Sequence, residues 1–325
     1  MTDVVCLGEL LIDFVPTQSG TDLVSAPGFV KAPGGAPANV AVGLARLGAS
    51  SAFMGMVGDD PFGRFLAHTL EVEGVDVASL RFNQVARTAL AFVSLRADGE
   101  REFMFYRHPS ADMLYAPEDV DTDAVRGARC LHFGSISLIT ASSRAATWRA
   151  LDEAQSCDCL VSYDPNLRLP LWPDAETAKA RMLEGVRRAH VMKLSDEELE
   201  FLTGSADVEG AARTLWHGAM RLIVVTQGAA GCTYVTSAHT GSVKGFAVDA
   251  VDTTGAGDAF VAALLRALLG KDERLEEGLL EDETRLRDAC RRANAAGALT
   301  ATARGAIPAL PRQGELDEWV AARPG

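Results

Sequence analysis

No run of 18 or more apolar residues occurs in the 325-residue chain, so a membrane-spanning helix is not expected. The N-terminus, Met1-Thr2-Asp3 followed by VVCLGELLIDF, lacks a basic stretch and a small-residue cleavage site, and does not read as a secretory signal. A cytoplasmic location is the expectation. No C-x-x-C occurs among Cys6, Cys130, Cys157, Cys159, Cys232 and Cys290, which reads as scattered thiols in a reducing compartment. The six histidines are dispersed without an H-E-x-x-H, which argues against a zinc hydrolase. No G-x-x-x-x-G-K-[ST] is present, so a P-loop kinase is excluded. Cations are scarce as well: 31 Lys and Arg face 44 Asp and Glu, a net charge of −13. That balance disfavours nucleic acid, which needs a basic face. It also repels phosphate esters, so any phosphate site has to be built locally, from backbone N–H groups and a few placed cations.

What is present suffices for a substantial core: 48% hydrophobic residues in a chain long enough for one large domain or two modest ones. From about Ala128 onward, short apolar runs alternate with helical patterns. CLHFG (130–134) precedes a helix over 142–155, CLVSYD (159–164) one over 175–189, VMKLS (191–195) precedes EELEFL, and LIVVT (222–226) enters a Gly-rich turn. This alternation predicts βαβ units and a mostly parallel sheet covered on both faces, an α/β fold. Residues 88–96 and 101–106 are two strand-like runs joined by Ala97-Asp98-Gly99-Glu100, a hairpin signal that breaks the pattern. The segment 14–31 pairs beside it in this reading. The chain thus divides into a large α/β domain (1–13, 31–80 and 108–325) and a small β lid (14–30 and 81–107). The charged stretch 271–288 reads as a solvated helix or loop.

Two Gly-rich turns carry the chemistry. In Asp252-Thr253-Thr254-Gly255-Ala256-Gly257-Asp258, small residues open an apolar helix whose first N–H groups and positive dipole end form an anion hole without cations. Asp258 in the first turn is a carboxylate beside that anion, or simply a cap. Pro33-Gly34-Gly35-Ala36-Pro37-Ala38-Asn39 opens a second helix; its glycines admit a ligand close to the backbone, and Asn39 suits sugar hydroxyls or caps the helix.

The segments GGAPANVAVGLARLG and DTTGAGDAFVAALL resemble the two signatures of the ribokinase-like (pfkB) carbohydrate kinases, in order and placement. The resemblance spans nearly the whole chain. GELLIDFVP, VGDDPFG, DGEREFMFYRHPSADM, HFGSISL, DPNLRLPLW and MKLSDEE are similar to the fructokinase branch, and the stretch after Gly270 matches least. The resemblance implies a ribokinase-like fold and ATP-dependent phosphorylation of fructose to fructose 6-phosphate. Asp258 would be the base, and Gly255, Ala256 and Gly257 the anion hole. It places Asp13, Gly34, Gly35 and Asn39 at the sugar, with Phe103 or Phe105 covering it from the lid and Asn166 and Arg168 reaching substrate and phosphates. It assigns Lys193 to the triphosphate, Glu198 to magnesium through water, Thr226, Gly228 and Gly231 to the nucleotide turn, and Asn294 to the adenine pocket. Ser195 stands where the family motif has asparagine, which puts a direct role for that position in doubt. Asp252 and the Thr254 carbonyl would begin a site for potassium. The partners implied are a small sugar and ATP, with a homodimer through the lid.

Alternatives stand beside this reading. A 2-keto-3-deoxygluconate kinase would use Arg168 and Arg107 on the sugar's carboxylate, and a riboside kinase belongs to the same family. A Rossmann dehydrogenase is disfavoured because Gly255-Ala256-Gly257 lies late in the chain and the third glycine position is Phe260. A non-catalytic binding module would show no ATP turnover.

Overall fold

Among the described residues, thirteen strands form two sheets, with helices between them. The computed structural model describes residues 2–18, 20–95, 101–269 and 277–323; of residues 94, 95, 101–103 and 277 it describes only the backbone. The first strands are Thr2–Leu7 (β1), Leu11–Pro16 (β2), Phe29–Gly34 (β3), Ser51–Gly58 (β4) and Leu80–Asn83 (β5). Leu90–Leu95 (β6), Arg101–Tyr106 (β7), Ala128–Gly134 (β8) and Leu160–Asp164 (β9) follow. Val191–Ser195 (β10), Leu222–Thr226 (β11), Gly231–Val235 (β12) and Thr240–Lys244 (β13) complete the set.

The large sheet runs β13-β12-β11-β10-β9-β8-β1-β4-β5, parallel from β11 through β5, with β12 and β13 antiparallel at one edge. Every residue of β4 and β8 is buried, as expected of strands covered on both faces. The core divides across the sheet accordingly. Val4 and Cys6 of β1 join one cluster with Phe53, Leu44 and Phe260, while Val5 and Leu7 join the other with Met54, Phe133 and Tyr163. Among the described residues, no helix is long and apolar enough to cross a membrane. The expected turn at 97–100 and the charged residues 271–276 lie outside the described residues; the rest of that charged stretch lies in the helices Glu277–Glu281 and Glu283–Thr300.

The small sheet, in the order β3-β2-β6-β7, pairs β2 with β6 in parallel and β6 with β7 as the expected antiparallel hairpin. Strand alternation gives it two faces. Leu11, Asp13, Val15, Ala32, Val93 and Phe105 turn to a cavity against the large sheet. Phe14 and Phe92 lie on the other face and stack at 4.9 Å, with Met104 and Tyr106 exposed beyond them.

The two signature helices, Ala36–Arg46 and Ala256–Leu268, pack directly on one another within the core. Their approach is close: a Cβ added at Gly43 would stand 2.7 Å from the Ala262 methyl. On the other side a Cβ at Gly297, in the Glu283–Thr300 helix, would lie 3.0 Å from the Ala256 carbonyl. Replacing Gly43 by valine forces these helices apart. We expect Gly43→Val to destabilise by about 1–3 kcal/mol, the usual cost of overpacking, read as a lower urea midpoint at unchanged slope. A wild-type midpoint would show that the close approach is not required.

Candidate active site

The ligand-facing residues gather at the carboxyl ends of the parallel strands, where open α/β sheets place their sites. Glu9 follows β1, Asp164 ends β9, Lys193 lies in β10 and Ser195 ends it. The small sheet closes over this edge.

Each signature helix begins at a glycine that a side chain would not fit. Gly35, at φ +111, caps the first helix, and a Cβ there would collide with the Glu9 carbonyl. Gly34 lies so close to the Asp13 carboxylate that a Cβ would strike Oδ2. Gly255, at φ +81, caps the second helix against Ala306. Neither N-cap glycine has a side chain to cap its helix: Glu9 accepts the Ala36 N–H of the first, the Ala256 N–H of the second turns to the Thr253 carbonyl at 3.3 Å, and Gly255, Gly257 and Asp258 line the cavity at the positive dipole end.

At the cavity the helices meet through a hydrogen bond: buried Asn39 Nδ2 donates to Asp258 Oδ2 at 2.8 Å. Burial pushes the Asp258 carboxyl up to about 6; the Asn39 bond, Lys193 and Arg168 oppose this and Asp164 reinforces it. Asp13 stands at the cavity wall with protein around most of its carboxyl. That desolvation, with Asp258 and Asp252 adding to it, pushes it up to about 7 against the pull of Arg168. A buried carboxyl near neutrality beside a helix N-terminus is an arrangement that can accept a proton next to an anion.

Lys193 supplies the cation. Its ammonium donates to Asp164 Oδ2 at 3.1 Å, and a Cβ on Gly257 would come within 3.0 Å of Nζ, which sets the charge beside the anion hole. Burial alone would lower this ammonium, but Asp164, Glu198 and Asp258 hold it above its usual range. Glu198 accepts from Ser195 N at 2.8 Å and Leu167 N at 2.7 Å, while Ser195 Oγ accepts from Glu198 N in a capping box. Ser195 therefore caps a helix. Burial and Asp164 push the Glu198 carboxyl up, against the pull of Lys193 and these N–H groups.

Two adjoining cavities result. One, of about 180 Å³, is lined by Glu9, Asp13, Gly35, Asn39, Phe105, Asn166, Arg168, Lys193, Asp252, Thr254, Gly255, Gly257 and Asp258, among others. The second, about 270 Å³, shares Asn166, Arg168 and Lys193 with it and adds Ser195 and Glu198. A larger concavity of about 520 Å³, around Leu299 and Trp319, contains none of these residues. Asn166 adopts φ +47, a left-handed conformation that asparagine tolerates, and its N–H donates to Asp164 Oδ1 at 3.2 Å. Asp252 bridges two loops, accepting from Thr254 N and Oγ1 at 3.0 and 2.7 Å and from Gly305 N at 3.0 Å.

The remaining expected residues sit outside these two cavities. Thr226 ends β11 in register with Ser195, Gly228 (φ +54) has open space above it, and a Cβ on Gly231 (φ +108) would strike the Val243 carbonyl. Asn294 is buried, donating to the carbonyls of Val243 and Lys244 at 3.1 and 3.3 Å, which ties its helix to β13. The Phe103 side chain lies outside the described residues; Phe105, two positions on, lines the cavity. Sequence reasoning assigned no role to Glu9 or Asp164, although both are acids at strand ends. It also missed that Arg107 is buried against Asp112.

Comparison with known proteins agrees with this geometry. The chain is 55% identical over 314 residues to probable fructokinase-4 of Arabidopsis thaliana, covering 96% of this chain and 95% of that one. The ATP-bound fructokinase of Xylella fastidiosa superposes with a TM-score of 0.90 at 36% identity, covering 98% of both chains. The fructokinase of Vibrio cholerae O395, in a form with fructose, ADP and calcium ion bound, gives a TM-score of 0.87 at 39% identity, covering 98% of this chain and 99% of that one. A family model described as pfkB family carbohydrate kinase matches residues 1–313. On a ribokinase-like fold, with this match over residues 1–313 and relatives more than half identical along nearly its whole length, the chain belongs to the pfkB family of carbohydrate kinases.

Proposed function

We propose that this kinase transfers the γ-phosphoryl group of ATP to the C6 hydroxyl of fructose. The observation that carries the choice of sugar is the charge of the cavity. Four carboxylates, Glu9, Asp13, Asp252 and Asp258, line it against two cations, Arg168 and Lys193. Lys193 is already bound to Asp164, and Arg107 to Asp112. A sugar acid would bring its carboxylate into this surplus of negative charge, which argues against 2-keto-3-deoxygluconate. A neutral polyol meets acceptors for its hydroxyls. The fructokinase relatives support the same sugar.

In this reading Asp258 takes the proton as the hydroxyl oxygen bonds to the γ-phosphorus; the bond from phosphorus to the β,γ-bridging oxygen breaks and ADP leaves. The N–H groups of Gly255, Gly257 and Asp258 and the Lys193 ammonium face the charge on the transferring group, whereas the Ala256 N–H, expected to join them, turns to the Thr253 carbonyl. Thr226, Gly228, Gly231 and Asn294 border the nucleotide, whose triphosphate runs past Lys193. A magnesium ion accompanying ATP neutralises phosphate charge. Asp164 and Glu198 are hard oxygen donors suited to it, and since their oxygens already accept hydrogen bonds, they would hold it through water. The Asp252 charge would favour a potassium ion near the Thr254 carbonyl. The small sheet acts as a lid, with Phe105 over the sugar, excluding the water that competes for the phosphoryl group.

A coupled assay over fructose, ribose, glucose, tagatose and 2-keto-3-deoxygluconate tests the substrate; a preference for the sugar acid would overturn it. Asp258→Asn should lower kcat by roughly 10²–10⁴, the range for a general base, with ATP binding retained in calorimetry. Since the base must be ionised, kcat/KM should fall with acid. Its apparent pKa should lie between about 6 and 7 and belong to Asp258 and Asp13 together. A profile flat down to pH 5 would contradict this. Phe105→Ala should cut kcat/KM for fructose about ten- to hundredfold, leave the KM for ATP unchanged, and raise the ratio of ATP hydrolysis to sugar phosphorylation. An unchanged ratio would remove the lid from the mechanism.

A further inference from the structure

Glu9 follows β1 and is 3% exposed. Its Oε1 accepts from Ala36 N at 2.9 Å, so the side chain supplies the cap that Gly35 lacks. Its Oε2 is buried with no hydrogen-bond partner among the described residues, and Glu9 lines the cavity that holds Asp13 and Asp258. Asn39 repeats the pattern: Nδ2 is committed to Asp258, while buried Oδ1 has no partner among the described residues and the residue lines the same cavity. Buried acceptors are nearly always paired. Two in one small cavity indicate a ligand rich in O–H donors. If Glu9 served only to hold Ala36, one neutral acceptor would suffice, and burying a whole carboxyl would be unnecessary. Burial pushes this carboxyl up to about 7, while its own backbone N–H, Arg107 and the Ala36 N–H pull it down and Asp112 raises it. The carboxyl therefore ionises as pH rises through about 7, above which Oε2 is an acceptor only.

We propose that Glu9 is a substrate-contacting residue, its Oε2 accepting a hydrogen bond from one hydroxyl of the bound sugar while its Oε1 holds the Gly34-Gly35 turn. This rests on the sugar-kinase reading above and deepens it, because one side chain then couples hydroxyl recognition to the start of the helix that carries Asn39.

Glu9→Gln keeps an oxygen for Ala36 and exchanges the free acceptor for a donor. The experiment measures kcat and KM for wild type and variant, using whichever sugar of the screen the wild type phosphorylates and its singly deoxygenated analogues. For the parent sugar, the variant should raise KM about tenfold, the loss of one charge-assisted bond, with the KM for ATP unchanged. For one analogue, the one lacking the contacted hydroxyl, the penalty should disappear. A penalty equal across all analogues, or none for the parent sugar, would overturn the proposal and leave Glu9 as a loop anchor only. If Glu9→Gln does not fold, Glu9→Asp, which withdraws the carboxylate while keeping its charge, is read by the same pattern. Failure of the substrate reading would show separately, as a wild type that phosphorylates none of the sugars.

Discussion

The hydrogen bond from Asn39 to Asp258 spans 219 residues of sequence, and the rest of the site depends on the constraint it expresses. Two helices, one from each end of the chain, must approach closely enough for a short amide to reach a short carboxylate. Gly43 against Ala262, and Gly297 against the Ala256 carbonyl, make that approach possible. Given that contact, both Gly-rich turns face one cavity: the first brings Gly35 and Asn39, the second Gly255, Gly257 and Asp258. Without it the turns would remain two ordinary helix starts.

Electrostatics sets the second constraint. A chain with a charge of −13 would, in the proposed function, meet a tetra-anionic nucleotide with peptide dipoles and the buried Lys193. Lys193 is itself surrounded by Asp164, Glu198 and Asp258, so its charge stays localised at the cavity. The cost appears in the carboxylates. Glu9, Asp13 and Asp258 all have acidities weakened by burial, so each disfavours the folded state as it ionises with rising pH. The stability these groups offer is complete below their ordinary acidic range and is lost as pH rises through about 6 to 7. Activity needs the ionised form, so the site works where it is least favourable to the fold.

Much of this was legible in the sequence. The βαβ alternation fixed the parallel sheet because buried parallel strands leave continuous apolar runs, as in LIVVT. The REFMFY alternation correctly placed Phe105 on one face and Met104 on the other. The glycines at 35 and 255 were readable because a positive φ at a helix start excludes most side chains. Pairings between distant residues were not readable. Nothing local distinguishes an arginine that binds an anion from Arg107, neutralised by a buried aspartate five residues on. Ser195 looked like a departure from a motif, yet its hydroxyl caps the following helix and holds Glu198 in place. Glu9 escaped notice because its partner is a backbone N–H 27 residues away.

The reach of the Asn39–Asp258 contact also bears on how the molecule comes to life. Strand pairings such as β2 with β3 and β1 with β4 are close in sequence and can form early, whereas pairing separated by more than two hundred residues carries a large loop-closure cost and forms late. On a ribosome, a nascent chain ending before residue 258 would already own its sugar-facing turn and most of its sheet. It would lack Asp258 and the helix it opens, on which the proposed chemistry depends. Catalytic competence therefore arrives only with the last fifth of the chain, and a partly made protein cannot spend ATP.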